Sequence, residues 1–245
     1  MAARREAGEG EPTLVWERPE PPTRPVPTPL SRDGIVRAAI ALADADGLEA
    51  VSLRKVAAAL DAGPMRLYGY LSNKDELLDL MVDAVYGEMP RPARTGDDWR
   101  GALRSLAHGM RRTALRHDWF ADLLGGRPRL GPNALAHLEA SLAAVDGAPG
   151  FDHIDTVAHA VETVRVYLFG AIRTHVAELR AERDTGLDER QWQVASGPYL
   201  TRMLATGRYP TLARWVHDAT HIDADATFDA GLACVLDGIA ARLRR

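Results

Sequence analysis

Two groups of side chains in this 245-residue chain have types and spacings that can do chemistry. The first is Arg54, Arg66, Tyr68, Tyr70 and Lys74. A guanidinium can satisfy both acceptors on the major-groove edge of a guanine at once, while lysine and tyrosine suit phosphate oxygens. The second is His217-Asp218-x-x-His221-x-Asp223-x-Asp225. His217 and His221 are four apart and share a face if a helix runs through them, a metal-compatible spacing. That cluster lacks the glutamate of the His-Glu-x-x-His pattern and lies beside an expected loop, so a solvated helix end is the plainer reading. The sequence holds no glycine-rich phosphate loop, nucleophile elbow or cysteine cluster. No catalytic residue, metal or cofactor is assigned, and an enzyme is not expected.

The elements that must position the first group are helical. Hydrophobic residues make up 46% of the chain and aromatics only 6%, and alanine and leucine fill most apolar positions, which favours helices over sheets. Segment 32–46 places Ile35, Ala39, Leu42 and Ala43 on one face and ends at Gly47. Ser52 can cap a short helix with inner residues Leu53, Val56, Ala57 and Leu60. Asp61-Ala62-Gly63 makes a tight turn, and Pro64 suits the first position of the next helix, about seven residues long, with Leu67 and Leu71 inward. Ser72-Asn73-Lys74-Asp75 starts a longer helix buried through Leu77, Leu78, Met81, Val82 and Val85. A short helix, a tight turn and a second short helix, braced on both sides, is the helix-turn-helix arrangement. Its second helix would present Pro64, Met65, Arg66, Tyr68, Gly69 and Tyr70 outward, with Arg66 reading a base and Tyr68, Tyr70 and Lys74 on phosphates. Arg54 stands at the start of the supporting helix, within reach of a base or a phosphate.

Bulk charge gives this reading no help. The chain carries a formal charge of -4, and 31–89 holds six basic against ten acidic residues, where a duplex-binding protein usually shows a basic footprint. Any affinity must rest on where a few cations sit.

Three regions follow: a proline-rich disordered tail over 1–30, the head over 31–89, and a larger helical region over 90–245. The tail, RPEPPTRPVPTP at its centre, has no apolar periodicity and no expected core of its own; Arg18 and Arg24 make a minor-groove arm a lesser alternative. Pro90 and Pro92 mark the second boundary. Helices are expected over 98–117, 132–144, 153–183, 190–206, near 210–217 and 225–244. Val157, Val161, Val164, Leu168, Ile172, Val176 and Leu179 form a stripe on the long helix. Leu232, Val235, Leu236, Ile239 and Leu243 form one on the last. Such stripes must be covered, either within the domain or in a four-helix bundle between two subunits. No membrane-spanning run and no signal-peptide pattern occur, and one cysteine excludes an internal disulfide, so a cytoplasmic location is expected. Cys234 itself reads as a small buried hydrophobe.

The run VSLRKVAAALDAGPMRLYGYLSNKDELLDLMVDAV resembles the head of the TetR/AcrR family of regulators. The matching elements are Ser52, Arg54, Val56 and Ala57, then Leu67, Tyr68, Tyr70 and Leu71, then Asn73, Lys74, Leu77 and Leu78, with Gly47-Leu48-Glu49 before them. The resemblance implies an all-α fold, a three-helix DNA-binding head followed by a larger helical ligand-binding and dimerisation domain. It also implies phosphate contacts from Tyr68 and Lys74. Gly69 departs from the family, which usually has a bulky residue or histidine there. Trp99, Arg111-Arg112 and Leu124-Gly125-Gly126-Arg127-Pro128 are similar to the tetracycline-repressor-like branch. Where the tetracycline repressor presents an asparagine, a phenylalanine and a magnesium-chelating histidine, this chain has Leu106, Met110 and Leu123. A magnesium-tetracycline inducer is therefore not expected, and a more apolar effector is. Candidate pocket residues are Leu106, Met110, Phe120, Leu123, Thr163, Tyr167 and Trp192; His159 reads as a satisfied core or interface histidine. The implied protein is a transcriptional regulator, a repressor that a small, largely apolar molecule releases from its double-stranded operator. It would be a homodimer joined through the helices near 153–183 and 225–244. The competing readings are a helical interaction protein without DNA binding and a metal-dependent helical enzyme.

Overall fold

In the computed structural model, residues 14–20, 30–90, 98–126, 130–220 and 222–243 are described, and they contain helices and turns but no strand. The chain divides into two compact units, Met1–Glu88 with Arg127–His137, and Met89–Gly126 with Leu138–Arg245.

The first unit is built on α1 (Arg32–Asp46), α2 (Leu53–Ala59), α3 (Pro64–Leu67) and α4 (Lys74–Gly87). Polar caps set their starts. Ser31 accepts from the Gly34 amide at 3.0 Å, Ser52 from the Lys55 amide at 3.2 Å and Asn73 from the Glu76 amide at 2.9 Å. Each satisfies one of the amides that a helix start leaves without an internal partner, contributing about 1 kcal/mol. Ile35, Ala39, Val56, Ala57, Leu67, Leu71, Leu77, Met81 and Val85 close the core between them. In the turn before α3 the left-handed residue is Asp61 (φ 49°), while Gly63 is the extended residue that precedes Pro64. Aspartate is among the few side chains that tolerate that region.

α3 is shorter than its pattern predicts. After Leu67 the backbone tightens: the Gly69 amide bonds to the Arg66 carbonyl and the Tyr70 amide to that of Leu67, the i→i+3 pattern of a turn. Gly69, which weakens a helix by about 1 kcal/mol, sits at this change.

The second unit contains α5 (Trp99–Arg116), the 3-10 segment Asp118–Leu123, the second half of α6 (Pro132–Ala143) from Leu138 on, α7 (Ile154–Thr185), α8 (Glu189–Leu204), α9 (Pro210–Asp218) and α10 (Ala224–Leu243). The long helix α7 packs against α5, the 3-10 segment and α10, and ends at Gly186 in the left-handed conformation (φ 69°). Its stripe Val157, Val161, Val164, Leu168, Ile172 and Val176 is buried within the protomer, as are Leu232 and Leu236 of α10. The α7 stripe up to Val176 is thus covered internally, whereas Leu179 and, on α10, Val235, Ile239 and Leu243 are half-buried. Cys234, expected to be buried, is exposed, because it lies on the opposite face of α10 from Leu232 and Leu236. α8 and α9 pack on each other and contain no buried residue.

Candidate DNA interface and effector site

The turn and α3 bring the predicted reading residues to one surface. Pro64, Met65, Arg66, Tyr68 and Gly69 are exposed, Met65 by 79% and Tyr68 by 50%, while Leu67 and Leu71 on the inner side are buried. Arg54 at the start of α2 and Lys74 at the start of α4 are exposed too. The shape is a ridge with an apolar root and a polar crest, which can enter a groove without exposing the core.

Tyr70 is the exception. It is buried, and its hydroxyl donates to the Leu30 carbonyl at 2.7 Å. The turn that follows α3 rotates it off the outward face, so it anchors the chain before α1 and is unavailable to a phosphate. The proline-rich tail is likewise more than a tail. Val15 is buried, Arg18 donates to Ser72 Oγ at 2.8 Å and to the Glu76 carboxylate, and the Arg18 carbonyl accepts from Arg32 at 2.9 Å. Absent periodicity hid this, since a single turn with one apolar anchor has no period to show. Arg24 lies outside the described residues. At Glu76, burial raises the carboxyl, but the Ser72 amide and Arg18 outweigh it and hold it below the usual carboxylate range.

In the second unit the candidate pocket residues separate. Leu106 and Met110 on α5 and Phe120 on the 3-10 segment are buried, Leu123 is half-buried, and the three elements that carry them pack together with α7. Tyr167 on α7 is half-buried and donates to the Phe228 carbonyl at 2.7 Å; burial raises its phenol. Two candidates lie elsewhere. Thr163 is exposed and its hydroxyl donates back to the His159 carbonyl on its own helix. Trp192 is 58% exposed on α8. Sequence alone does not say which face of α7 or α8 turns inward. His159 is exposed, not a core residue.

Two polar features had no sequence signal strong enough to find them. Asp83, buried on α4, accepts from the Asn133 and Ala134 amides, both at 2.9 Å, and from the Asn133 side chain at 3.1 Å. A Cβ at Gly131 would fall 2.2 Å from that carboxylate, so glycine is required there. This cap explains why Arg127–His137 groups with the first unit. Arg111, buried on α5, donates to Asp225 at 2.6 Å, meets His175 Nδ1 at 2.9 Å and covers the Phe228 ring at 4.6 Å. Burial, then the Arg111 charge, pushes the His175 imidazole down, and Arg111 holds Asp225 below its ordinary value. Asp225 is therefore committed to Arg111; His221 lies outside the described residues, and among those described no group of three or more metal-ligand types gathers. None of the described helices is long and apolar enough to cross a membrane.

Residues 35–81 match the model for bacterial regulatory proteins of the tetR family, and residues 91–243 match the tetracycline repressor-like C-terminal domain. The chain belongs to the TetR family. Among its relatives is the transcriptional repressor DrrR1 of Streptomyces coeruleorubidus, 40% identical over 92% of this chain and 83% of that protein. The class A tetracycline repressor from transposon 1721 of Escherichia coli is 29% identical over 88% of this chain and 93% of that one. Of solved structures, the TetR-family protein ActR of Streptomyces coelicolor, crystallised with actinorhodin, superimposes with a TM-score of 0.74 at 27% identity over 86% of this chain and 96% of that one. This TetR-family member is thus an all-α transcriptional regulator with a helix-turn-helix head, and Pro64–Leu67 is the second helix of that motif.

Proposed function

We propose that the chain represses transcription as a homodimer on an operator duplex and is released by a small, largely apolar effector. The observation that carries the DNA half is the crest of Pro64, Met65, Arg66, Tyr68 and Gly69, exposed together above buried Leu67 and Leu71. Arg66 reads a guanine, Tyr68 and Lys74 hold phosphates, and Arg54 reaches a base or phosphate from α2. Two heads set about one helical turn apart, roughly 34–36 Å, supply the cations that a net-acidic head lacks singly. Membership of the family supports this reading.

The effector is held by the wall of Leu106, Met110, Phe120 and Leu123 with Tyr167. The aliphatic residues at three of these positions favour an apolar molecule, and ActR, bound to actinorhodin, is a relative whose ligand is known by name. Effector and operator oppose each other reciprocally, a coupling of about 1–3 kcal/mol carried through α4. The dimer is joined through the outer faces of α7 and α10. Ile154 and Val166 on α7 are exposed, and α10 presents Ala230, Cys234, Gly238 and Ala241.

Selection of duplexes from a random pool with the purified chain tests the reading. A recovered palindromic site whose affinity falls by orders of magnitude over a fourfold rise in salt supports it. No enrichment, or a response flat in salt, sinks it and leaves a helical interaction protein. Because Leu236 is buried within the protomer, the interface is tested at Cys234→Arg, which is expected to give monomers by sedimentation.

A further inference from the structure

The turn at 14–20 occupies a place next to the DNA-reading surface. Val15 is 3% exposed, and Arg18 is fastened at both ends of its length. Its guanidinium bonds to Ser72 Oγ at 2.8 Å and to Glu76; its carbonyl accepts from Arg32, whose own amide, at the start of α1, donates to Glu20 at 3.3 Å. The Glu76 carboxylate also accepts from the Ser72 amide at 2.6 Å. Arg18 and Glu76 thus close a ring around the residues that start α4, and Lys74 lies inside that ring in sequence.

Glu76 poses an electrostatic problem. In the free protein a carboxylate in the first turn is favoured by the helix dipole and by the amide it accepts. On a duplex, the same carboxylate lies within a turn of the lysine that must meet a phosphate, and it repels that phosphate. A carboxylate and a phosphate roughly 8 Å apart near a protein surface, screened over about one Debye length at physiological salt, weaken binding by about three-fold per half-site, so about ten-fold for a dimer. A cation bonded to the carboxylate removes most of this.

We propose that Arg18 is a positioning residue for operator binding: it neutralises Glu76 and holds Ser72 and Asn73 so that Lys74 and the amides at the start of α4 face a phosphate. Residues 14–20 are then a working part of the head, and Arg18 acts through Glu76 and touches no DNA. The inference rests on the reading that Lys74 meets a phosphate.

The test uses the full chain and a duplex recovered by the selection above, with affinity read by fluorescence anisotropy across a salt series. Arg18→Ala is expected to weaken binding about ten-fold on the selected and on unrelated duplexes alike, with the salt slope unchanged, because the phosphates neutralised are the same. Arg18→Lys keeps most of the affinity. Glu76→Gln alone tightens binding by about two-fold, and the double variant Arg18→Ala/Glu76→Gln returns to within about two-fold of the parent. A double variant as weak as Arg18→Ala, with the slope reduced by about two per dimer, overturns the proposal in favour of direct phosphate contact by Arg18. A double variant equally weak with an unchanged slope and a lowered melting temperature overturns it in favour of a purely structural turn. Arg18→Ala binding like the parent also overturns it. Failure of the parent chain to bind any duplex instead overturns the DNA reading beneath it.

Discussion

The proposed DNA-reading crest and the proposed effector wall are built on opposite terms. On the crest the side chains assigned to DNA are exposed and the packing lies behind them: Met65, Arg66 and Tyr68 stand over Leu67 and Leu71. In the wall, Leu106, Met110 and Phe120 are themselves the packing, buried alongside Ala107, Ala114 and Trp119. The difference teaches where side-chain type is informative. An exposed arginine beside exposed Met65 and Tyr68 offers a chemistry that can be assigned to a partner from its type. A buried leucine has the same appearance whether it lines a pocket or fills a core.

That contrast can be broken or sharpened experimentally. Phe120→Ala removes a fully buried ring and is expected to cost about 3–5 kcal/mol in denaturant unfolding. A loss under about 1 kcal/mol accompanied by loss of effector response would instead make this wall an open pocket. Asp83→Ala leaves the Asn133 and Ala134 amides without their acceptor and is expected to cost about 2–4 kcal/mol. Asp83→Asn recovers part of that in a thermal melt. At the crest the currency is affinity: Arg66→Ala is expected to lose about 1–3 kcal/mol of operator binding and relax preference at one base pair, with stability changed by less than about 0.5 kcal/mol. Lys74→Ala weakens all duplexes alike. Tyr70→Phe deletes the bond to the Leu30 carbonyl, expected to cost about 1 kcal/mol of stability with base preference untouched. A change of sequence preference there would return Tyr70 to the DNA surface. The smallest effect is that of Glu76. Its folded carboxyl lies below the ordinary value of 4.5, so its contribution to stability is complete above that pH and is lost as pH falls through the lowered value. Glu76→Gln flattens that part of the acid limb.

Much of this was legible in the residues. Ser31, Ser52 and Asn73 cap helices because serine and asparagine can do so locally, with no help from the rest of the chain. The motif at 52–78 placed the crest, and a 3.6-residue period placed α7 and α10, because both are properties of a short stretch of chain. What the residues did not disclose is which partner each surface finds. The inward stripes of α7 and α10 suited an intersubunit bundle as well as an internal core, and the folded protomer buries Val157 to Val176 of the first and Leu232 and Leu236 of the second.

By itself, then, the sequence determined the helices, their caps, the turn before Pro64 and the side chains that crest it, since each depends on contacts within a few residues. Only the tertiary structure decided that Tyr70 turns inward to Leu30, that Thr163 and Trp192 stand outside the wall, that Asp83 caps α6, and that Arg18 reaches 58 residues along the chain to Glu76. The contacts among these, Tyr70 to Leu30, Asp83 to Asn133 and Arg18 to Glu76, are pairings between groups distant in sequence. No local propensity encodes them, because their energy exists only once the packed helices bring both partners together.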